Sequence, residues 1–157
     1  MDFHGWVTVL RLPIEIVAAC LAVLPALLLL RAWSSLPHEI PAHFGLSGKP
    51  DRWGGRGQAW LIPLVAVVVY GAFSHASGAW GWLLGRQADV PNGMEPLLLM
   101  RLPIDLLMTY ITFGTIRVAR KEAEGLDWRV LYGLLLLTVA PAAVAALPYT
   151  RACPRIH

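Results

Sequence analysis

Four metal-ligand side chains lie in one short polar segment of the chain, residues 35–58: His38, Glu39, His43 and Asp51. Their order invites comparison with H-E-x-x-H, in which two histidines four residues apart bind one zinc ion from one helix face. Here the histidines are five residues apart, so a helix would rotate the second by about 140°. Pro41 also favours an extended conformation at the residue before it. The zinc-protease hypothesis therefore fails on geometry, and a looser loop-held metal site from these four residues remains an alternative.

The rest of the segment 35–58 has the composition of defined turns. Five glycines lie between positions 45 and 57, and residues 49–52, Lys-Pro-Asp-Arg, predict a tight turn with proline at its second position. Trp53 and Trp60 are aromatic residues of the kind that accumulate at the membrane–water interface. We therefore predict a structured loop that folds against the neighbouring helices.

Four ionisable residues lie within apolar stretches, where burial is costly and each is a candidate functional group: Glu15, His75, Arg101 and Asp105. Glu15 follows Arg11 by four residues, and Asp105 follows Arg101 by four, so each acid shares a helix face with a base. The first interpretation is one local ion pair at the start of each helix. The alternative is that Glu15 and Asp105 face each other and hold a cation or a lipid headgroup. We interpret His75 as a neutral group hydrogen-bonded between helices, with a titrating or ligand-contacting role as the alternative.

The composition of the chain is that of a membrane protein. Hydrophobic residues make up 57% and charged residues 15%, against roughly 25% charged in a soluble domain. Four apolar stretches, at about 12–30, 59–84, 96–118 and 130–147, reach or approach the ~20 residues that cross a bilayer. We predict an all-α integral membrane four-helix bundle, a single domain over residues 1–157, with the structured loop between its first two helices.

An internal similarity suggests two parallel helix-hairpin repeats. The sequences "RLPIE" from Arg11 and "RLPID" from Arg101 match, and "DRW" at Asp51 and "DWR" at Asp127 each precede the next apolar stretch. Basic residues are more numerous in the first and third loops than in the termini and the second loop. The positive-inside rule then predicts that loops one and three are cytoplasmic.

The segment "LPHEIPAHFGLSGKPDRWGGR" resembles the signature of the SdpI-type immunity protein family, in an N-terminal membrane module of uncharacterised function. The matching pattern falls on Leu36, Pro37, Ile40, Pro41, His43, Phe44, Gly48, Asp51, Trp53 and Gly54. The resemblance implies a multi-pass protein of the bacterial cytoplasmic (inner) membrane. Some relatives protect a cell from its own secreted toxin.

Three functional hypotheses follow. The first is a non-catalytic binding or protection protein that presents the loop or its helix faces to a toxin or another ligand. The second is a small accessory subunit of a larger membrane complex. The third is a metal-dependent membrane enzyme that uses the loop histidines and acids. The expected partners are the lipid bilayer and, as hypotheses, a toxin or other membrane subunits; no cofactor and no nucleic acid are expected.

Overall fold

The computed structural model describes residues 3–76, 78 and 95–151, and it places the side chains of residues 12–76, 78 and 100–140. Within these ranges the chain forms four α-helices and one two-stranded antiparallel sheet. The helices are α1 (Phe3–Ala32), α2 (Leu61–Ala76), α3 (Glu95–Ala119) and α4 (Trp128–Arg151), and the strands are β1 (Glu39–Phe44) and β2 (Pro50–Gly55). The predicted all-α four-helix architecture is confirmed, with a small sheet added to it.

Three of the described helical segments are long and apolar enough to cross a membrane: Leu12–Ser35, Arg56–Ala76 and Met100–Ala119. Trp128–Ala140 is a shorter apolar helical stretch. Large aliphatic side chains such as Leu27, Leu64 and Leu136 are more than half exposed on the outer faces of the helices. A hydrocarbon surrounding accounts for such faces, because lipid tails are as apolar as leucine.

The second helix differs from its predicted extent of 59–84. Gly78 lies inside that range and has a φ of 68°, and its N–H donates to the His75 carbonyl oxygen at 3.0 Å. A glycine in the left-handed region is a common end to an α-helix, since it has no Cβ to clash. The hydropathy of residues 59–84 does not predict this turn. Residues 77 and 79–84 lie outside the described residues.

The predicted structured loop is a β-hairpin of β1 and β2, flanked by two short 3₁₀ turns at Trp33–Ser35 and Arg56–Trp60. Pro41 pairs with Trp53 within the sheet, and register shifts on both sides of His43 mark an irregular ladder. A proline is tolerated there because both strands of a two-stranded sheet are edge strands. An isolated hairpin of this size is marginally stable at best, so its contacts with the helices must hold it in place.

Ile40 joins the hairpin to the helices. Its side chain is 1% exposed and belongs to an apolar cluster that draws on α1, α3 and the second 3₁₀ turn. The other members of this cluster are Leu29, Ala32, Leu36, Ala59, Ile116 and Ala119. The base of the hairpin is closed by a hydrogen bond of 2.9 Å from the Arg56 N–H to the His38 carbonyl oxygen.

The two halves of the internal similarity have different structural outcomes. The sequences that begin at Arg11 and Arg101 both lie inside helices, α1 and α3. Asp51, however, lies in strand β2, whereas Asp127 precedes α4 and its Oδ1 accepts the Arg129 N–H at 2.9 Å. The aspartate triplets are therefore not structurally equivalent, and the duplication stays a prediction that rests on the two helices alone.

Candidate functional site

The tip of the hairpin is attached to the loop between α3 and α4. The Gly48 carbonyl oxygen accepts the Leu126 N–H at 2.8 Å, and the Tyr132 hydroxyl donates to the Leu46 carbonyl oxygen at 3.2 Å. Gly48 has a φ of 77°, and a Cβ at this position would collide with the carbonyl oxygen of Leu126. The first and third loops therefore lie together at one end of the bundle.

The third loop is in turn fixed to α3. Leu126 is 7% exposed, and its Cδ2 fills the space that a side chain at Gly114 would occupy. The Tyr110 hydroxyl accepts the Asp127 N–H at 2.8 Å and lies 3.2 Å from the Asp127 carbonyl oxygen, to which it donates. The hairpin is thus held at its base by Ile40 and at its tip by a loop that is itself anchored.

His43 and Asp51 form a side-chain pair across the hairpin. His43 Nδ1 lies 2.7 Å from Asp51 Oδ1, and the two side chains are 61% and 52% exposed. The described residues contain no group of three His, Cys, Asp or Glu side chains that could hold a metal ion, so His38 and Glu39 do not complete a ligand set with this pair. An ion pair this exposed contributes below about 1 kcal/mol, and its structural effect is to brace the two strands.

A cleft of about 810 Å³ opens between the hairpin and the membrane-spanning helices. Arg52, Trp53 and Gln58 line the part of the cleft formed by β2 and the following 3₁₀ turn. The wall formed by α2 is apolar and consists of Leu61, Pro63, Leu64 and Val67. A volume of several hundred Å³ with an apolar wall and a few polar groups is typical of a small-molecule site.

Aromatic packing supports one side of this cleft. The rings of Trp33 and Trp60 lie 5.9 Å apart between centroids, and Trp60 also lines the cleft. The Arg56 guanidinium lies over the Trp33 ring, 4.6 Å from its centroid. Tryptophan and arginine side chains of this kind suit the membrane interface, where one end of the group is apolar and the other is hydrated.

A second polar site lies inside the bundle, where Arg101 is 0% exposed. Its Nη1 donates to Ser74 Oγ on α2 at 2.7 Å, and its Nη2 lies 2.9 Å from Glu15 Oε2 on α1. The latter contact is an ion pair by distance, although its alignment is not that of a hydrogen bond. The sequence predicted a pair between Arg101 and Asp105 within one helix, whereas the observed pair joins two helices. The side chain of Arg11 lies outside the described side chains.

Asp105 is also 0% exposed, next to Arg101 on α3. Within the described part of the chain, neither of its carboxylate oxygens has a hydrogen-bond partner. Glu15, at 12% exposure of its side chain, is less deeply buried than Asp105. The cation beside Glu15, however, is the guanidinium of Arg101 and not a bound ion.

Sequence reasoning missed two groups around Arg101 and placed His75 differently. Ser74 accepts the arginine hydrogen bond, and the Tyr70 ring centroid lies 5.1 Å from the arginine Cζ. A hydroxyl and a phenol on an apolar helix give no signal of their own, because the arginine that they contact is on another helix. His75 is exposed, whereas the sequence favoured an interhelical position for it.

Comparisons with known proteins match parts of the chain. Residues 20–67 match a family described as a domain of unknown function, DUF1648. An uncharacterized protein of Archaeoglobus fulgidus is 44% identical over 36 residues, a stretch that covers 23% of this chain and 20% of that protein. The chain therefore matches only about a fifth of the length of this relative. No solved structure matches the chain.

The matched family segment and the cleft coincide. Residues 20–67 run from the middle of α1 through the hairpin into α2. Every residue that lines the cleft, from Ala26 on α1 to Val67 on α2, lies within them. The buried cluster around Arg101, in contrast, draws on residues outside that segment.

Proposed function

We propose that this chain is a non-catalytic binding protein of the bacterial cytoplasmic membrane, and that its ligand-binding surface is the cleft between the hairpin and α2. The observation that carries the proposal is the fixed position of the hairpin. Ile40 anchors its base to α1 and α3, and the third loop anchors its tip, so the hairpin wall of the cleft is held in place. A preformed cleft binds a ligand at a lower entropic cost than a mobile loop does.

The lining of the cleft defines the ligand by its chemistry. Leu61, Leu64 and Val67 lie on a helix that is long and apolar enough to cross the membrane, so this wall suits an aliphatic chain. Arg52 lies on the hairpin, where its guanidinium suits a phosphate or carboxylate group. The ligand that matches both parts is an anionic amphiphile, and phosphatidylglycerol is the simplest probe of this class.

A protective role of the immunity type would use the same surface. Its support is the signature pattern of residues 36–54, which forms the hairpin that walls the cleft. Because the charge distribution predicts a cytoplasmic hairpin, protection would act at the inner leaflet of the membrane. It would not require the hairpin to meet a toxin outside the cell.

The test compares two arginine variants of the full chain, purified in mild detergent with phosphatidylglycerol and phosphatidylcholine. Native mass spectrometry counts the lipids that each protein retains. Arg52→Gln should lower retained phosphatidylglycerol about tenfold, as expected for one charge-assisted contact. Arg129→Gln is the matched control, because Arg129 is also exposed and does not line the cleft.

Two results would contradict this proposal. Equal loss of phosphatidylglycerol from both variants would show attraction to positive charge in general and no site. Equal retention of phosphatidylglycerol and phosphatidylcholine by the unaltered chain would show that the cleft does not select an anionic headgroup.

A further inference from the structure

Among the described side chains, the buried cluster of α1, α2 and α3 contains more acidic than basic groups. Glu15 and Asp105 each carry a carboxylate there, and Arg101 carries the one guanidinium. The two terminal nitrogens of Arg101 contact Glu15 and Ser74, one each. With all three groups ionised, the cluster would hold one uncompensated negative charge in the apolar interior of the bundle.

The uncompensated charge belongs to Asp105. Its side chain is 0% exposed, and both of its oxygens lack a hydrogen-bond partner among the described residues. Glu15, in contrast, has one oxygen at 2.9 Å from the arginine. A buried carboxylate without partners is strongly disfavoured, and it becomes neutral when it takes up a proton. We propose that Glu15, Arg101 and Asp105 form an intramembrane proton-binding site, in which Asp105 holds the bound proton.

A metal cation fits this cluster less well than a proton. Hard cations require about six or more oxygen ligands, and the cluster offers three carboxylate oxygens without a partner among the described residues. The guanidinium of Arg101 also repels any second cation at this short range. A proton needs one oxygen only and leaves the pair between Arg101 and Glu15 in place.

The groups that face the cluster come from three helices. Among the described side chains, Arg101 contacts Ser74 and Tyr70 on α2 besides Glu15 on α1. His75 on the same helix is exposed. On α3, Thr109 donates its hydroxyl to the Asp105 carbonyl oxygen at 2.9 Å and leaves the carboxylate itself uncontacted.

The fourth helix adds no charged group near the cluster within its described side chains, residues 128–140. Its ionisable residues in that range are Arg129 and Tyr132, both in the first turns beside the third loop. Among the described side chains, the ionisable groups at the cluster are therefore Glu15, Arg101 and Asp105, with the Tyr70 ring beside Arg101.

Infrared difference spectroscopy of the full chain in lipid vesicles tests the proposal. Spectra are recorded as the pH is lowered from about 9 to about 5, a range above the ordinary titration of an exposed carboxylate. The unaltered chain should show the carbonyl band of a protonated carboxylic acid within this range, and Asp105→Asn should lose it. Asp127→Asn is the matched control, because Asp127 is an exposed aspartate of the third loop and asparagine also caps a helix.

A second variant distinguishes a site of three groups from a single buried acid. Glu15→Gln leaves Arg101 free to compensate Asp105, so the acid band should weaken or move to lower pH. Absence of any acid band in the unaltered chain would overturn the proposal without reference to a variant. Persistence of an unchanged band in Asp105→Asn would overturn it as well, because the proton would then be held elsewhere.

Discussion

At the scale of single residues, Arg101 joins three helices in the interior of the bundle. It is fully buried and reaches two other helices, through Ser74 on α2 and Glu15 on α1. Removal of one partner from such a pair leaves an uncompensated charge in an apolar environment, which costs more than the pair itself contributes. The cluster is therefore both a constraint on helix packing and the basis of the proton site proposed above.

We expect Arg101→Gln to lower the free energy of unfolding by about 3 to 5 kcal/mol, because the Glu15 carboxylate remains buried without its cation. The double variant Glu15→Gln with Arg101→Gln should recover about 1 to 3 kcal/mol of that loss. Unfolding of the full chain in mixed micelles, followed by tryptophan fluorescence, measures both. Strictly additive effects of the two substitutions would contradict the interhelical pair.

Gly48 is the residue on which the attachment of the hairpin tip depends. We expect Gly48→Ala to lower the free energy of unfolding by about 1 to 3 kcal/mol, since its positive φ strains any L side chain and the added Cβ meets the Leu126 carbonyl oxygen. Gly55→Ala is the matched control, because Gly55 has a φ of −66° and open space at its Cβ. The same measurement of unfolding in mixed micelles applies to both variants. An equal response of the two would show that the tip is not constrained by its contact with the third loop.

At the scale of elements, the hairpin and the third loop act as one unit. Leu126 is the side chain that links them, since its N–H reaches Gly48 and its Cδ2 packs over Gly114. The ladder between β1 and β2 is short and irregular. The protection of the β1 and β2 backbone amides from hydrogen exchange should therefore depend on Leu126.

We expect Leu126→Ala to cost about 2 to 5 kcal/mol locally, and to speed deuterium exchange of the backbone amides of β1 and β2 by at least about tenfold. Leu46→Ala is the control, because this side chain at the hairpin tip is 84% exposed. Exchange mass spectrometry of the two variants reports the difference. Unchanged exchange in Leu126→Ala would mean that the hairpin is stable by itself.

The elements differ in how far the sequence predicts them, and the reason is physical. The helices are predicted because the bilayer demands long apolar stretches, a signal that is local and strong. Glycine predicts the turn between the strands, which Gly45 and Gly48 close by a hydrogen bond of 2.9 Å. The tight turn expected at residues 49–52 is wrong, because β2 begins at Pro50. The pairing of β1 with β2 is not predicted either, since strand propensity depends on context. Arg101 was assigned to Asp105 because a sequence reveals only pairs within one helix. Its actual partner is 86 positions earlier in the chain, at Glu15.

At the scale of the whole molecule, the contact between the hairpin and the third loop sets the relation of the loops to the membrane. The hydrogen bond from the Leu126 N–H to the Gly48 carbonyl oxygen places the hairpin and the third loop at one end of the bundle. The excess of basic residues in these two loops predicts that this end is cytoplasmic. The cleft then opens at the inner leaflet, where anionic lipids concentrate near basic side chains.

Cysteine labelling in intact cells tests this orientation. In a chain with Cys20→Ser and Cys153→Ser, the variants Leu46→Cys and Glu124→Cys should both resist a membrane-impermeant maleimide until the cells are permeabilised. Both target positions are exposed, so access is limited by the membrane and not by burial. Labelling of the two from opposite sides would contradict the contact between the loops. Labelling of both from outside would reverse the predicted orientation and leave the fold unchanged.

The most direct test of the central proposal, that this chain binds its ligand without a second kind of subunit, is gentle extraction from native membranes. The extract is separated on a native gel, and every protein and lipid in the band is identified by mass spectrometry. We expect the chain alone or as a homo-oligomer, with anionic lipid retained. Stoichiometric amounts of unrelated membrane proteins in the same band would contradict the account and identify the chain as an accessory subunit.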